Sequence, residues 1–418
     1  MHTIIRALLL FYLLILPSES CAFTYSFSGF ASFGAGHVSE PDLTFGDYDD
    51  HWGVDTDTMV GLQFQTPLWE RLGLTIQGIS RGYSYDDHLS RYEPELDWLF
   101  LSYELTSNLR IRTGRLRMPH YLYSETLEVG YSYIWVRPPV DVYTPALESF
   151  RNFNGADITW YGDLSLPYLS DTAEYELQLF TGVTHGKFLG NSVDVSPAVG
   201  FNILSNLRQL KLRYGFIALK ASIDNEGLNQ LIPLLNQASG ALPPLADVAE
   251  GFSDDHEWYQ YHGLGLIWDW HQWTLTAERY YILGSGSGLS NEARGWYISL
   301  HRPFGMLTPY LVAGTYSNHL QNGASGALSR SFDLIPQGVD ASLDQLRTAA
   351  STAIDVFKVK ERTYTAGLRW DVLANTALKM EYQFFEFMEN STGHLLLQDN
   401  AQKPKNASMI SMVLDVVF

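Results

Sequence analysis

Apolar and polar side chains alternate along most of this 418-residue chain, in segments of about ten residues separated by turn-forming residues. In the last segment Ile410, Met412, Leu414, Val416 and Phe418 share one face. A period of two predicts a β-strand with one apolar face. The predicted strands, sixteen in all, are residues 23–33, 56–66, 72–83, 95–105, 110–117, 155–165, 173–186, 195–204, 210–221, 257–270, 273–283, 293–304, 306–317, 361–372, 377–387 and 407–418.

Short and long connections alternate between these segments without exception. The long connections are residues 34–55, 84–94, 118–154, 187–194, 222–256, 284–292, 318–360 and 388–406. Outer-membrane barrels have short periplasmic turns and long external loops, and a sheet that crosses lipid must close to satisfy its hydrogen bonds. The pattern therefore predicts an all-β fold: a 16-stranded antiparallel transmembrane β-barrel with short periplasmic turns and long extracellular loops.

Composition agrees with this fold and excludes others. The formal net charge is -19, only 17% of residues are charged, and 14% are aromatic. An acidic chain is a poor nucleic-acid binder, and the aromatic content excludes disorder. Aromatic residues near segment ends predict the two interfacial girdles of a membrane barrel. They are Tyr25, Trp69, Trp98, Trp160, Tyr175, Trp273, Trp296 and Trp370.

The N-terminus has the features of an export signal. After Arg6 comes a ten-residue apolar run, which is too short for a membrane-spanning helix. Small residues at Ser20 and Ala22 predict cleavage after Ala22, so residues 1–22 form a signal peptide and residues 23–418 one barrel domain. An uncleaved signal anchor is the alternative. The sole cysteine, Cys21, would be removed, and no cofactor or metal site is predicted.

Sixteen strands, a signal peptide and a terminal Phe418 together resemble the Gram-negative outer-membrane porin superfamily. The resemblance implies passive diffusion of small hydrophilic solutes and ions, a homotrimer in the outer membrane, contact with lipid and lipopolysaccharide, and recognition of Phe418 by the assembly machinery. It also implies that the third long loop, 118–154, folds into the lumen. That loop lacks the family's Pro-Glu-Phe-Gly-type turn. Outward Gly29 and Ala31 could pack against a neighbouring subunit.

The fifth strand carries the candidate basic wall of a constriction. Arg110 and Arg112 lie on one face, and Arg115 and Arg117 lie on the other unless a bulge at Gly114 turns all four inward. We predict that bulge; the alternative is that an end arginine reaches the headgroup layer. Arg81 extends the basic wall, and the third loop supplies the opposing charges Glu125, Glu128, Arg137, Asp141, Glu148 and Arg151. Such an arrangement creates a transverse field that favours polar solutes.

Several features have two interpretations. Other inward charges, including Lys211, Arg213, Arg369 and Lys379, either line the pore or form ion pairs within the wall. The loop aromatics Tyr121, Tyr123, Tyr131, Tyr133 and Trp135 either stack on sugars or anchor the loop. Segments 225–250 and 339–357 predict short helices in external loops, which either gate the mouth or pack on neighbouring loops.

Two rival functions remain open. A barrel hydrolase is conceivable because Ser299 and His301 share one strand face. A structural barrel with a blocked lumen would have bulky apolar inward residues.

The external loops contain two acidic clusters, which either bind divalent cations or serve solubility. The first has Asp47, Asp49, Asp50 and Asp55 near His51, and the second has Asp254, Asp255 and Glu257 beside His256.

Overall fold

The computed structural model describes residues 24–84, 90–144, 147, 150–166, 171–188, 191–252, 257–284, 291–320, 324–333, 337–338, 340–356, 359–389, 391–398 and 402–418. The signal-peptide prediction lies outside these residues. The barrel strands are β1 (Ser26–Val38), β2 (Met59–Trp69), β3 (Leu72–Arg81), β4 (Glu95–Thr106), β5 (Leu109–Arg117), β6 (Asn152–Leu166), β7 (Asp171–Phe188), β8 (Asn191–Leu207), β9 (Leu210–Asp224), β10 (Glu257–Trp270), β11 (Trp273–Gly284), β12 (Asn291–His301), β13 (Leu307–Leu320), β14 (Val359–Leu373), β15 (Thr376–Phe387) and β16 (Asn406–Val417).

These strands form one closed antiparallel barrel. Each strand pairs with its neighbours in the chain, and β1 also pairs with β16, where Phe30 faces Val417. The predicted 16-stranded fold is confirmed, including β4 and β13, whose alternation is weak in the sequence. We call the end with short connections the turn end and the opposite end the loop end.

Strand β15 shows which face of the sheet meets which environment. Met380 and Tyr382 are 47% and 49% exposed on the outer face, whereas Lys379 and Glu381 between them are 0% and 5% exposed. A soluble sandwich would bury the apolar row and expose the charged one. The apolar faces therefore point outward and the polar faces inward, as the sequence predicts for a barrel in lipid.

Aromatic residues are exposed on the outer face near the turn end. They include Trp69, Trp160, Trp273 and Trp370, as the girdle prediction requires. Trp98 is an exception, because it packs partly buried against the apolar cluster inside the barrel and lies under the Arg117 guanidinium. The prediction for Trp98 is wrong because an extra residue at Asp97 changes the alternation of β4 at this point.

The external loops have structure of their own. The helices α1 (Glu226–Ala238), α2 (Pro244–Gly251), α3 (Ala324–Asp333) and α4 (Ala341–Val356) pack together around Leu235, Leu245 and Ala350. A two-stranded ribbon, Leu43–Thr44 with Leu396–Leu397, joins the first and last loops. Within the described ranges, no helix is both long and apolar enough to cross a membrane.

Candidate functional site

The described part of the chain between β5 and β6, residues 118–144, 147, 150 and 151, lies inside the barrel, and we call it the constriction segment. Its described residues include two short 3-10 turns, Ser124–Thr126 and Gly130–Ser132. Inward glycines on the opposite wall make room for it. A Cβ on Gly265 would lie 2.5 Å from Leu122, and one on Gly295 would lie 1.7 Å from the carbonyl oxygen of Asp141.

Charged side chains of the wall bind the backbone of this segment. Lys379 Nζ donates to the carbonyl oxygens of Gly130 and Trp135 at 2.6 and 2.7 Å. Glu278 and Glu381 accept from the backbone amides of Leu122 and Val136 at 2.8 and 3.0 Å. Irregular buried backbone must find such partners, because no ladder satisfies it. Arg213 likewise donates to the carbonyl oxygen of His120, and Arg369 donates to the carbonyl oxygens of Tyr131 and Tyr133.

Three arginines surround Glu128 at the loop end of β3 to β6. Arg81 Nη2 and Arg117 Nη1 each lie 3.2 Å from a Glu128 oxygen, and Arg151 Nε lies 3.6 Å away. Glu95 pairs with Arg81 and Arg151, while Asp97 accepts from Arg117 at 2.8 Å. We call these six residues the Glu128 cluster. Three positive and three negative charges balance in a site that is almost closed to solvent.

The electrostatics of the Glu128 carboxylate follow from this setting. Burial opposes its ionisation, but the charges of Arg81, Arg151 and Arg117 outweigh burial, so the pKa of Glu128 lies below its ordinary value. The carboxylate is therefore ionised at neutral pH. Arg81, Arg117, Glu128 and Arg151 are brought together here as an anchor rather than as facing walls of an open pore.

The predicted bulge at Gly114 is wrong. The register runs without a break through Thr113, Gly114 and Arg115 on both sides of β5, although Gly114 has φ +134°. The extra residue lies in β4 instead, where pairing skips Asp97. Arg117 nevertheless points inward, because its Nη2 donates to the inward carboxylate of Asp97. Arg115 stays on the outer face, where its Nε donates to the carbonyl oxygen of Leu96 at 2.9 Å.

Arg110 and Arg112 face the turn-end half of the lumen. Arg112 donates to both oxygens of buried Asp157, and its Nη2 lies 3.2 Å from Glu125 of the constriction segment. The Glu125 side chain is 50% exposed, so this pair borders solvent. Arg110 is half-buried over the ring of Tyr161. Half-exposed Glu176 and Lys211 lie within electrostatic reach, which makes this stretch of wall mixed in charge.

The remaining predicted loop charges are buried or lie elsewhere. Arg137 forms a two-pronged pair with Asp57 of the first loop, at 3.0 and 2.5 Å. Asp141 is fully buried and accepts from Thr363 Oγ1 at 2.5 Å. Burial and the charge of Glu361 raise the pKa of Asp141 to about 7. Glu148 lies outside the described residues.

An apolar cluster inside the barrel is the main feature that the sequence analysis missed. Trp135 is 1% exposed and donates to Ser299 Oγ at 3.0 Å, while Tyr133 stacks on it. Wall residues Phe153 and Ile217 are buried in the same cluster. The buried aromatics thus anchor the segment. The signal in the sequence is that both faces of β9 are apolar around Ile217-Ala218-Leu219.

One polar chain was also missed because it joins three distant parts of the sequence. Thr144 Oγ1 lies 3.0 Å from His394 Nε2, and His394 Nδ1 contacts a carboxylate oxygen of Glu361. All three side chains are buried. By contrast, the Ser299 hydroxyl accepts a hydrogen bond from Trp135, and no contact between Ser299 and His301 is described.

The acidic first loop has a structural role in part. Asp47 accepts from the backbone amides of Val54, Asp55 and Thr56, and Asp55 pairs with Arg91 at 2.5 Å. Potential ligand atoms of Asp49, Asp50 and His51 lie within 4.8 Å of one another near the surface. The predicted cluster at Asp254, Asp255 and His256 lies outside the described residues.

The geometry defines the class: a closed 16-stranded β-barrel with an apolar outer face and a segment folded into its lumen. The fold is similar to that of OmpT, an outer-membrane protein of Vibrio cholerae, with a TM-score of 0.54, 8% identity and coverage of 96% of this chain and 99% of that one. It is equally similar to an anion-selective porin from Comamonas acidovorans, with a TM-score of 0.54, 12% identity and coverage of 94% and 99%. The predicted resemblance to porins is thus confirmed for the fold. No protein-family model matches the sequence. No curated protein matches it significantly.

Proposed function

We propose that the chain forms an outer-membrane channel for passive diffusion of small hydrophilic solutes and ions. The observation that carries this proposal is the solvent-bordering pair of Arg112 and Glu125, beside half-exposed Arg110, Glu176 and Lys211. A wall of both charge signs orders water and favours polar solutes over apolar ones. The membrane position is supported by the outward apolar rows and by the outer-membrane proteins that share the fold.

Permeability in this proposal depends on the constriction segment. Its buried aromatic side chains share one apolar cluster with the wall residues Phe153 and Ile217, so the wild type is expected to conduct weakly. Loosening the segment should increase conductance. A barrel that is silent in both states would favour the alternative of a structural barrel with a blocked lumen.

Single-channel recording with a salt gradient tests the proposal. Glu125→Gln removes the solvent-bordering carboxylate, so the reversal potential should shift toward anion selectivity. Arg112→Gln should shift it toward cations, since Asp157 and Glu125 then lose their counter-charge. Arg115→Gln is the matched control, because Arg115 lies on the outer face and should leave the reversal potential unchanged. Equal reversal potentials in all variants would refute a constriction at Glu125.

Assembly as a homotrimer belongs to the same proposal. Ala31 on the outer face of β1 offers a small contact surface, whereas Gly29 is covered by the ring of Phe418. A trimer form has been solved for Vibrio cholerae OmpT. Unheated protein should migrate on a gel at the mass of three barrels and shift to one after boiling. A folded single-barrel band would contradict the trimer.

A hydrolase is the second candidate, favoured by the order of Thr144, His394 and Glu361. Hydroxyl, imidazole and carboxylate follow one another as in a nucleophilic triad. Thr144 is only 4% exposed, so we expect no reaction with a fluorophosphonate probe. Labelling of the folded wild type that disappears in Thr144→Val would favour an enzyme instead of a channel.

A further inference from the structure

Arg115 lies on the lipid-facing side of the barrel. Its neighbours across the sheet, Leu99 and Asn154, are both exposed on the outer face. Only Nε has a described partner, the Leu96 carbonyl oxygen, and no described residue accepts a hydrogen bond from Nη1 or Nη2. An arginine on a barrel's lipid face is most unfavourable at the midplane and less so near the interface. Arg115 stands two residues before the loop end of β5, so it lies close to a headgroup layer.

A groove in the outer wall begins beside this guanidinium. Its volume is about 700 Å³, and Leu96, Leu99 and Ala156 form its apolar lining, with Arg115 and Asn154 as polar residues. Small side chains continue it away from the loop end, because Thr113, Ala156 and Thr181 lie side by side in register. The next row, Ile111, Ile158 and Leu179, is larger and bounds it.

Three glycines form the floor of this groove. Gly114, Gly155 and Gly182 are consecutive across β5, β6 and β7. A Cβ on Gly155 would lie 2.1 Å from the carbonyl oxygen of Thr181, and one on Gly114 would lie 2.2 Å from that of Leu99. Glycine rows allow a sheet to bend sharply, which accounts for a concave outer wall at this place.

We propose that this groove binds one anionic, phosphate-bearing lipid of the surrounding leaflet, with its phosphate on Arg115 and an acyl chain over Ala156. Arg115 and Asn154 lie toward the loop end, whereas Ala156 and the larger row Ile111, Ile158 and Leu179, which we call the apolar shelf, lie toward the membrane centre. This order of charge and apolar surface is the orientation of a lipid in that leaflet. The free guanidinium donors match phosphate oxygens in charge and geometry. The inference depends on the membrane position and does not depend on conduction.

Another outward arginine provides a matched control. Arg279 on β11 is exposed between Leu264 and Trp296, which are themselves exposed, and it packs over the ring of Tyr281. It lies outside the groove beside Arg115. Arg279→Gln therefore removes an outward positive charge without changing the proposed site.

Native mass spectrometry of the folded full chain in detergent, with bisphosphorylated lipid A as the probe, tests the inference. The wild type and Arg279→Gln should retain one lipid at similar concentrations. Arg115→Gln should bind about tenfold more weakly, as loss of a hydrogen bond between charged groups implies. Ala156→Phe should also bind more weakly, because it fills the apolar shelf while leaving the charge. Dephosphorylated lipid A should bind the wild type no better than bisphosphorylated lipid A binds Arg115→Gln.

Three results would overturn the inference. Equal lipid retention by the wild type and Arg115→Gln would remove Arg115 from any lipid site. Displacement of the lipid by millimolar inorganic phosphate would indicate a simple anion site. A change of oligomeric state in Ala156→Phe would assign the groove to a second copy of the chain. Because Arg115→Gln should retain the wild-type reversal potential, failure of this inference and failure of the channel proposal are distinguishable.

Discussion

Replacing Glu128 by Gln should release the first part of the constriction segment. The substitution keeps the shape of the side chain but leaves Arg81, Arg117 and Arg151 facing only Glu95 and Asp97. One excess positive charge then remains in a nearly closed site, and breaking a buried pair in this way costs about 3–5 kcal/mol. Glu125→Gln is the matched control in the same segment. Its side chain is 50% exposed and Arg112 keeps Asp157, so the expected cost is about 0–1 kcal/mol.

The assay follows thermal unfolding by circular dichroism together with proteolysis of the constriction segment and single-channel conductance. Glu128→Gln should melt earlier, become cleavable within the segment and conduct more, whereas Glu125→Gln should remain close to the wild type in stability. The pKa of Glu128 is lowered, so its stabilising contribution is complete above its ordinary pKa and is lost as pH falls through the lowered value. Equal melting temperatures for the two variants would refute the anchoring role of Glu128.

Three other substitutions test separate parts of the structure. Asp141→Asn should raise the melting temperature at pH 8 but not at pH 4. The pKa of Asp141 is raised in the folded protein, so folding becomes less favourable as pH rises from 3.8 to about 7. Equal effects of the substitution at both pH values would contradict this. Leu235→Ala should reduce the stability of the helical loop cluster by about 2–5 kcal/mol and expose helix α1 to protease. The barrel should keep its heat-modifiable migration on a gel. Loss of the barrel would show that the helices support it. Gly155→Ala should reduce refolding yield, since its Cβ would meet rigid backbone at Thr181; a normal yield would show that the glycine row can relax.

Strand positions could be predicted because the two faces of each strand differ in polarity. Alternation at Lys379, Met380, Glu381 and Tyr382 is a local property, and closure of the sheet follows from the requirement to pair every backbone group. The helix Ala324–Asp333 was not predicted because only a few apolar residues mark its buried face, among them Leu328 and Phe332. Short-range pattern therefore determines the strands well and the loop helices less well.

The orientation of the strand-five arginines could not be predicted from β5 alone. It depends on Asp97 in β4, which the register with β3 skips, and such an extra residue can be recognised only when the two strands are paired. The same limit applies to the constriction segment. Lys379 and Gly130 are separated by 249 positions in the sequence, so inward orientation could be predicted but the bonded partner could not.

Charge on the inner wall therefore has two separate tasks. Lys379, Glu278 and Glu381 are buried and bind the constriction segment, so their substitution should act through the position of that segment. Arg112 and Glu125 border solvent, so their substitution should act directly on passing ions. Solvent exposure separates the two groups, although all five residues are charged side chains that line one lumen. Selectivity and segment position are consequently expected to respond to different residues, which makes each testable while the other is held constant.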